Sequence, residues 1–312
     1  FCARLDEWAQ AAAVYSFFAA SNPVQIGDYF NDMLDLQIDD AAFIADTGIV
    51  VTEYNSAQLN AAMKQVAQAD IQALAAAYRD EFTVASDITD AMLEATARGE
   101  LAVRALMEKT RSQACGINFQ NLCNDTNVGD AMHVVASRLM AEGKGYAGEG
   151  DWVTGAFVHA IQAGIGTASF SEFFSVDYKG GRVLLKHWGE ANLAMAWEKP
   201  ELTKSVFNDQ NKAEFSVVSM QFAPGPATLI NLNADPQGHG QMISIQGQVT
   251  EDKLFNVVGP RAMFKPACSK IHDLLDRYAY QGGSHHQVLV GGCSESILTK
   301  LSILSGWTYY SL

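Results

Sequence analysis

The sequence has no cluster of lysine and arginine, no CxxC or paired zinc-ribbon spacing, no internal repeat and no apolar run of bilayer length. With 35 acidic residues against 21 basic ones the formal charge is −14, so a phosphate backbone is repelled rather than gripped and no nucleic-acid partner is expected. The longest early apolar run, AAAVYSFFAA at 11–20, is too short to span a membrane and carries no basic leader. Neither a membrane helix nor a secretory signal is expected, and the cytoplasm is the expected location. The five cysteines, Cys2, Cys115, Cys123, Cys268 and Cys293, are an odd number and read as reduced structural thiols. The chain opens FCARLDEW, in a helical pattern and without an initiator methionine; further sequence is expected upstream.

What is present suits an ordinary globular protein: 312 residues, 48% hydrophobic and 18% charged, a length that normally divides into two domains. Over 1–162, helical segments such as RLDEWAQAAAVYSFFAA, SAQLNAAMKQVAQADIQALAAAYRDEF and SDITDAMLEATARGELAVRALMEKTR alternate with short apolar runs, NPVQIG and GIVVTEY. The alternation predicts an α/β layer domain with a largely parallel sheet. Over 163–312 the segments GGRVLLKHW, AEFSVVSMQFA, ATLINLNA, QMISIQGQV and KLFNVVG are short, rich in β-formers and bounded by Gly, Pro, Asn or Asp. They predict a mostly antiparallel β-barrel-like domain, a sandwich being the other form, with one helix near PACSKIHDLLDRY.

GKGYAG at 143–148 has the form of a dinucleotide-binding glycine motif but not its setting, because the preceding AMHVVASRLMAE is itself helical. Gly143 and Gly145 instead read as the end of that helix, and Asp151 as the cap of the next, DWVTGAFVHAIQAG. Capping explains Asp151 without any function, but it leaves Glu149 between two glycines in GYAGEGDW unexplained. Downstream, Glu172 sits among Phe170, Phe173 and Phe174, a costly place for an acid that is not paired, protonated or metal-bound; a solvated turn acid is the plain alternative. His187 closes the apolar strand RVLLKHW, where a packed, hydrogen-bonded histidine is common. In GGSHHQVLVGG, His285 and His286 stand at the start of a strand. Strand side chains alternate between faces, so the two should not aim at one point: one would be a ligand and the other a supporting or substrate group. Two glutamates and two or three histidines in apolar or glycine-rich settings could form a nitrogen and oxygen site for a divalent metal such as Mn²⁺.

GYAGEGDW after a helix, then SFSEFF, then LLKHW with EKP at 198–200, and GGSHHQVL near the end stand in the order and approximate spacing of the L-arabinose isomerase family. RLDEWAQAAAVYSFFAASNPVQIGDYF is similar to the segment leading into that family's central domain. The resemblance covers the central and C-terminal domains; it implies that the family's N-terminal domain is absent and that the end at GWTYYSL is early. It also implies a metal-dependent aldose-ketose isomerase converting L-arabinose to L-ribulose, with D-galactose to D-tagatose as a second activity. Glu149, Glu172, His187 and His286 would hold Mn²⁺, or Co²⁺ or Mg²⁺, and the two glutamates would move protons. His285 and the pocket aromatic Phe119 would meet the sugar. A homo-oligomer with active sites near subunit interfaces is expected. Phe173 and Phe174 stand where the family usually has Asp-Tyr, and the loop between the glutamates is shortened, which bears on substrate more than on metal. An L-fucose isomerase-like enzyme, a non-catalytic sugar-binding or regulatory remnant, and a structural subunit are the alternatives.

Overall fold

The computed structural model describes residues 2–123, 132–206, 214–254, 257–268 and 270–312. Its first part runs α1 (Cys2–Ala19), β1 (Val24–Ile26), α2 (Asp40–Thr47), β2 (Thr52–Tyr54), α3 (Ser56–Gln65), α4 (Gln68–Glu81), β3 (Thr83–Val84) and α5 (Asp90–Lys109). It continues through β4 (Ala114–Ile117), α6 (Phe119–Cys123), α7 (Met132–Ala141), β5 (Gly145–Gly148) and α8 (Trp152–Gly164). Four of these strands form a parallel sheet in the order β2-β1-β4-β5. Side-chain caps set several helix starts: Asp39 accepts from Ala42 N, Asn55 and Gln58 form a capping box, and Thr89 accepts from Met92 N, each satisfying donors the helix leaves free.

NPVQIG and GIVVTEY supply β1 and β2, as the apolar runs predict. ACGI and GYAG, too short and glycine-rich to stand out, supply β4 and β5. Glycine has a packing reason here: a Cβ on Gly145 would lie 1.9 Å from the Gly155 carbonyl oxygen, and one on Gly155 would lie 2.6 Å from that of Cys115. Both absences let α8 rest directly on the sheet. The reading of Gly145 as a helix end is corrected: α7 is closed by Gly143 at φ +84, with Lys144 N donating to Leu139 O, and Gly145 opens β5.

The second part contains β6 (Ala168–Asp177), β7 (Arg182–Lys186), β8 (Glu201–Val206), β9 (Glu214–Gln221), β10 (Gly225–Ala234), β11 (Gly240–Val249) and β12 (Pro260–Pro266). It ends with α9 (Ile271–Tyr280), β13 (His286–Val290), α10 (Glu295–Ser305) and β14 (Thr308–Ser311). Strands β6, β7, β12, β11, β10 and β13 pair antiparallel all the way round, closing a barrel and leaving no free edge within the ring. Val183, Leu185, Leu229, Ile243, Ile245, Ala262, Phe264 and Leu289 belong to its buried core. Outside the ring, β14 extends β11, while β9, β8 and β3 extend β12. KLFNVVG contributes no strand in its described residues, and α10 is a helix beyond the one expected.

A second core joins the two parts, since Phe157 and Ile161 of α8 share it with Phe170, Ile230 and Val288 of the barrel. Among the described residues no helix is long and apolar enough to cross a membrane. Cys115, Cys268 and Cys293 are free thiols; the side chains of Cys2 and Cys123 lie outside the described residues.

Candidate metal centre

At the carboxyl end of β5 the chain makes a turn in which Glu149 has φ +61 and Gly150 φ +80. A left-handed glutamate is costly and persists only when its surroundings hold it. The Glu149 carbonyl accepts from Phe30 N at 3.1 Å, and a Cβ on Gly150 would stand 2.1 Å from the Asp28 carbonyl oxygen. The loop after β1 therefore clamps this turn. Asp151 follows and caps α8 through Oδ1, 2.9 Å from Thr154 N.

The barrel supplies the other residues. Glu172 of β6 and His286 of β13 are direct partners in one ladder, and His187 follows the last residue of β7. The Phe170 ring lies 4.7 Å from the rings of both His187 and His286, a hydrocarbon floor between the two imidazoles. Ligand-type atoms of Glu149, His187 and His286 all lie within 4.8 Å of one another, as do those of Glu172, His285 and His286. The four residues singled out from the sequence thus meet in two overlapping groups that share His286.

His285 meets them as well. Its Nε2 is 3.3 Å from Glu149 Oε2 and 3.7 Å from Glu172 Oε2, while His286 Nε2 is 3.5 Å from Glu149 Oε2. Strand alternation predicts otherwise, but His285 precedes the first residue of β13 and is not bound by it. Asp35 Oδ2 holds both its backbone N–H at 2.9 Å and its Nδ1 at 2.7 Å, so the ring is turned back towards its neighbour.

Each of the three histidines has Nδ1 against a carboxylate, leaving Nε2 for the centre. His286 Nδ1 is 2.9 Å from Asp151 Oδ2, so Asp151 is more than a cap. His187 Nδ1 is 2.8 Å from Glu190 Oε1, and fully buried Glu190 also meets His133 Nδ1 at 2.8 Å, Tyr146 Oη at 2.9 Å and Gly189 N at 2.7 Å. Such outer carboxylates fix ring orientation at metal sites. Gly148 makes room for one ring: a Cβ there would be 2.8 Å from His187 Cε1 and 3.0 Å from Nε2. Sequence reasoning does not single out Asp35, His133 or Glu190, though Glu190 carries a faint signal as the residue three after His187.

Phe119 is buried with its ring edge-on to His187 at 6.3 Å and tilted against Phe30 at 5.9 Å. Phe173 turns away to Tyr278 at 5.2 Å, and Phe174 is exposed beneath Lys186 Nζ at 4.9 Å.

Charge at the site is strongly coupled. Burial alone would raise the Glu149 carboxyl, but the imidazoles of His285 and His286 close beside it outweigh burial and hold it well below its ordinary value. Burial works against protonated His187, yet Glu190 and Glu172 push it up to about 9. It also works against His285, which Asp35 and Glu149 push up to about 10. The carboxylates therefore demand positive charge among them.

A divalent ion fits that demand. Glu149 Oε2, His285 Nε2 and His286 Nε2 are buried without a hydrogen-bond partner, and carboxylate with imidazole is a donor set suited to Mn²⁺-type ions.

Residues 24–165 match the L-arabinose isomerase central domain, and residues 167–307 the L-arabinose isomerase C-terminal domain. The L-arabinose isomerase of Nocardioides sp. is 26% identical over 316 residues, covering 97% of this chain and 62% of its own length. That of Saccharophagus degradans is 25% identical over 317 residues, with the same 97% and 62% covered. A Shewanella sp. L-arabinose isomerase is 28% identical over 210 residues, 64% of this chain and 41% of its own length. This chain thus spans 62% of the length of the first two relatives. With both domains matched in order and relatives aligned along nearly its whole length, the chain belongs to the L-arabinose isomerase family.

Proposed function

We propose that the chain carries the site of a metal-dependent aldose-ketose isomerase of the L-arabinose to L-ribulose type, with D-galactose to D-tagatose as the hexose counterpart. The observation that carries this reading is the meeting of Glu149, Glu172, His187 and His286, with unpartnered donor atoms facing one another. A divalent ion, Mn²⁺ or else Co²⁺ or Mg²⁺, held by these four residues would polarise the sugar carbonyl as a Lewis acid.

The chain's own residues do the rest. One glutamate removes the proton from C2 of the aldose and returns it to C1, while the other carries the hydroxyl proton from O2 to O1. Two carboxylates in unlike settings suit two roles: Glu149 is buried in its turn, and Glu172 is partly open on β6. Asp151 and Glu190 aim the imidazoles, Phe119 and Phe170 exclude water beside them, and His285 faces the sugar. The acids come from either side of the 162/163 boundary, which we take as the division between the α/β and barrel domains.

A cytoplasmic homo-oligomer belongs to the same proposal. Leu34 and Tyr280, 75% and 88% exposed, line an open cavity of about 640 Å³ with Asp35. A neighbouring subunit seated there would bring the site close to an interface.

Calorimetric titration of Mn²⁺ into metal-free protein tests the site, wild type against Glu149→Gln and His286→Ala, followed by L-arabinose turnover. One tight site lost in both variants, with turnover present in wild type only, is expected. A site indifferent to both changes refutes the ligand set, and metal binding without turnover of any aldose favours the sugar-binding remnant.

A further inference from the structure

On the barrel's outer flank, β12 meets β7 and β9 at Arg261, whose ladder partners are Lys186 and Gln221. Arg261 is only 9% exposed. It lines a cavity of about 280 Å³ with Trp197, Lys199, Glu201, Gln221 and Lys253.

Its hydrogen bonding is one-sided. Nη1 donates to the carbonyl oxygens of Val257 and Gly259 at 3.2 Å and reaches Ser219 Oγ at 3.4 Å and Met220 O at 3.5 Å. These bonds explain one nitrogen as a brace for the loop before β12. Nε is buried with no partner, and Nη2 makes no hydrogen bond among the described residues. The Nε–Nη2 edge of a guanidinium is a fork suited to bidentate oxyanions.

A buried cation without a counter-ion is expensive. Among the described residues no carboxylate pairs with Arg261, and exposed Glu201 acts on it only at longer range. Lys253 and Lys199, the latter also donating through Nζ to the Asp80 carbonyl at 3.1 Å, add two further cations to the wall, in a chain whose formal charge is −14. Glu198 and Glu201 are the acids of the same wall.

We propose that this cavity is a binding site for a small oxyanion, a phosphate or carboxylate group, received by the Nε–Nη2 edge of Arg261 and by Lys253 and Lys199. The anion supplies the missing charge and the two missing acceptors together. Glu201 is its intramolecular competitor.

The test is calorimetric titration of inorganic phosphate, and separately acetate, into the full chain in a chloride buffer. Saturable phosphate uptake is expected, and acetate shows whether a carboxylate serves as well. Arg261→Gln weakens uptake about ten- to hundred-fold, what one charge-assisted hydrogen bond contributes. Lys253→Ala, at an exposed position, weakens it about two- to five-fold, and Glu201→Gln tightens it. Lys270→Ala, which removes an equal charge on an exposed residue away from this wall, leaves it unchanged. If Arg261→Gln does not fold, Lys253→Ala and Glu201→Gln still decide through their opposite signs. No saturable uptake in wild type overturns the proposal. So does uptake indifferent to the pocket variants, which places the anion elsewhere, the candidate metal centre included. Self-association abolished by Lys253→Ala without phosphate uptake also overturns it, assigning the pocket to an acidic side chain of a second copy.

Discussion

Asp151 uses its two carboxylate oxygens for two purposes, and substitution can separate them. Oδ1 caps α8 at Thr154 N, and Oδ2 receives His286 Nδ1, each at 2.9 Å. Asp151→Ala removes both. Loss of an N-cap costs about 1 kcal/mol, and in a chain of this size that lowers Tm by roughly 2–4 °C. Loss of the partner of a metal-binding histidine weakens metal binding about 10- to 100-fold. Asp151→Asn keeps an oxygen for the cap but sets a neutral amide against His286. It should hold Tm within about 1 °C of wild type, a small part of a cap's worth, while still losing most of the metal affinity. Thermal unfolding of metal-free protein and Mn²⁺ titration, run on both variants, measure the two effects apart. Full metal affinity in Asp151→Asn would refute the claim that Oδ2 aims His286; an Asn variant as unstable as Ala would refute the division of labour.

Two further outcomes follow from the same geometry. Gly148→Ala puts a methyl group 2.8 Å from His187 Cε1, so it should destabilise by about 1–3 kcal/mol, as overpacking does, and weaken Mn²⁺ binding; unchanged affinity by titration would show that His187 does not approach the ion from over Gly148. In the metal-free protein His187 and His285 are held up at about 9 and 10 against an unfolded value of 6.5. Their protonated forms stabilise that fold fully below pH 6.5, and the contribution is lost as pH rises through those folded values. An ion held by the proposed ligands must displace the His187 proton, so affinity should rise with pH from neutrality to about 9 with net proton release. Calorimetry in buffers of different ionisation enthalpy reads the release directly, and its absence would mean that His187 is already neutral.

The sequence shows more of the site's membership than of its geometry. Glu149 is conspicuous because nothing local explains an acid between glycines, and the paired histidines are conspicuous by adjacency. What hides from inspection is whatever depends on long-range pairing. β4 and β5 are four residues each and take their identity from the parallel ladder around them. Asp35 looks like any loop acid until folding sets it on His285, and that contact defeats the alternation rule, which applies only inside a regular strand. Glu190 meets His133 and Tyr146 across 57 and 44 residues of chain, separations that no local pattern encodes. The closed barrel is expected from its short β-rich segments, yet closure rests on the β11–β12 pairing, which composition cannot distinguish from an open sandwich.

The two-residue strand β3 leaves the helical part to pair in parallel with β8, Thr83 with Glu201 and Val84 with Leu202. Together with the core that α8 shares with the barrel, the packing of α1 on α10 and that of α5 and α7 on β9, it fastens the parts at several separate places. A centre assembled from two such parts would open like jaws if one could swing on the other; fastened at several places, the parts resist that swing. In the proposed isomerase, Glu149 and the barrel histidines would then keep their spacing with and without sugar bound.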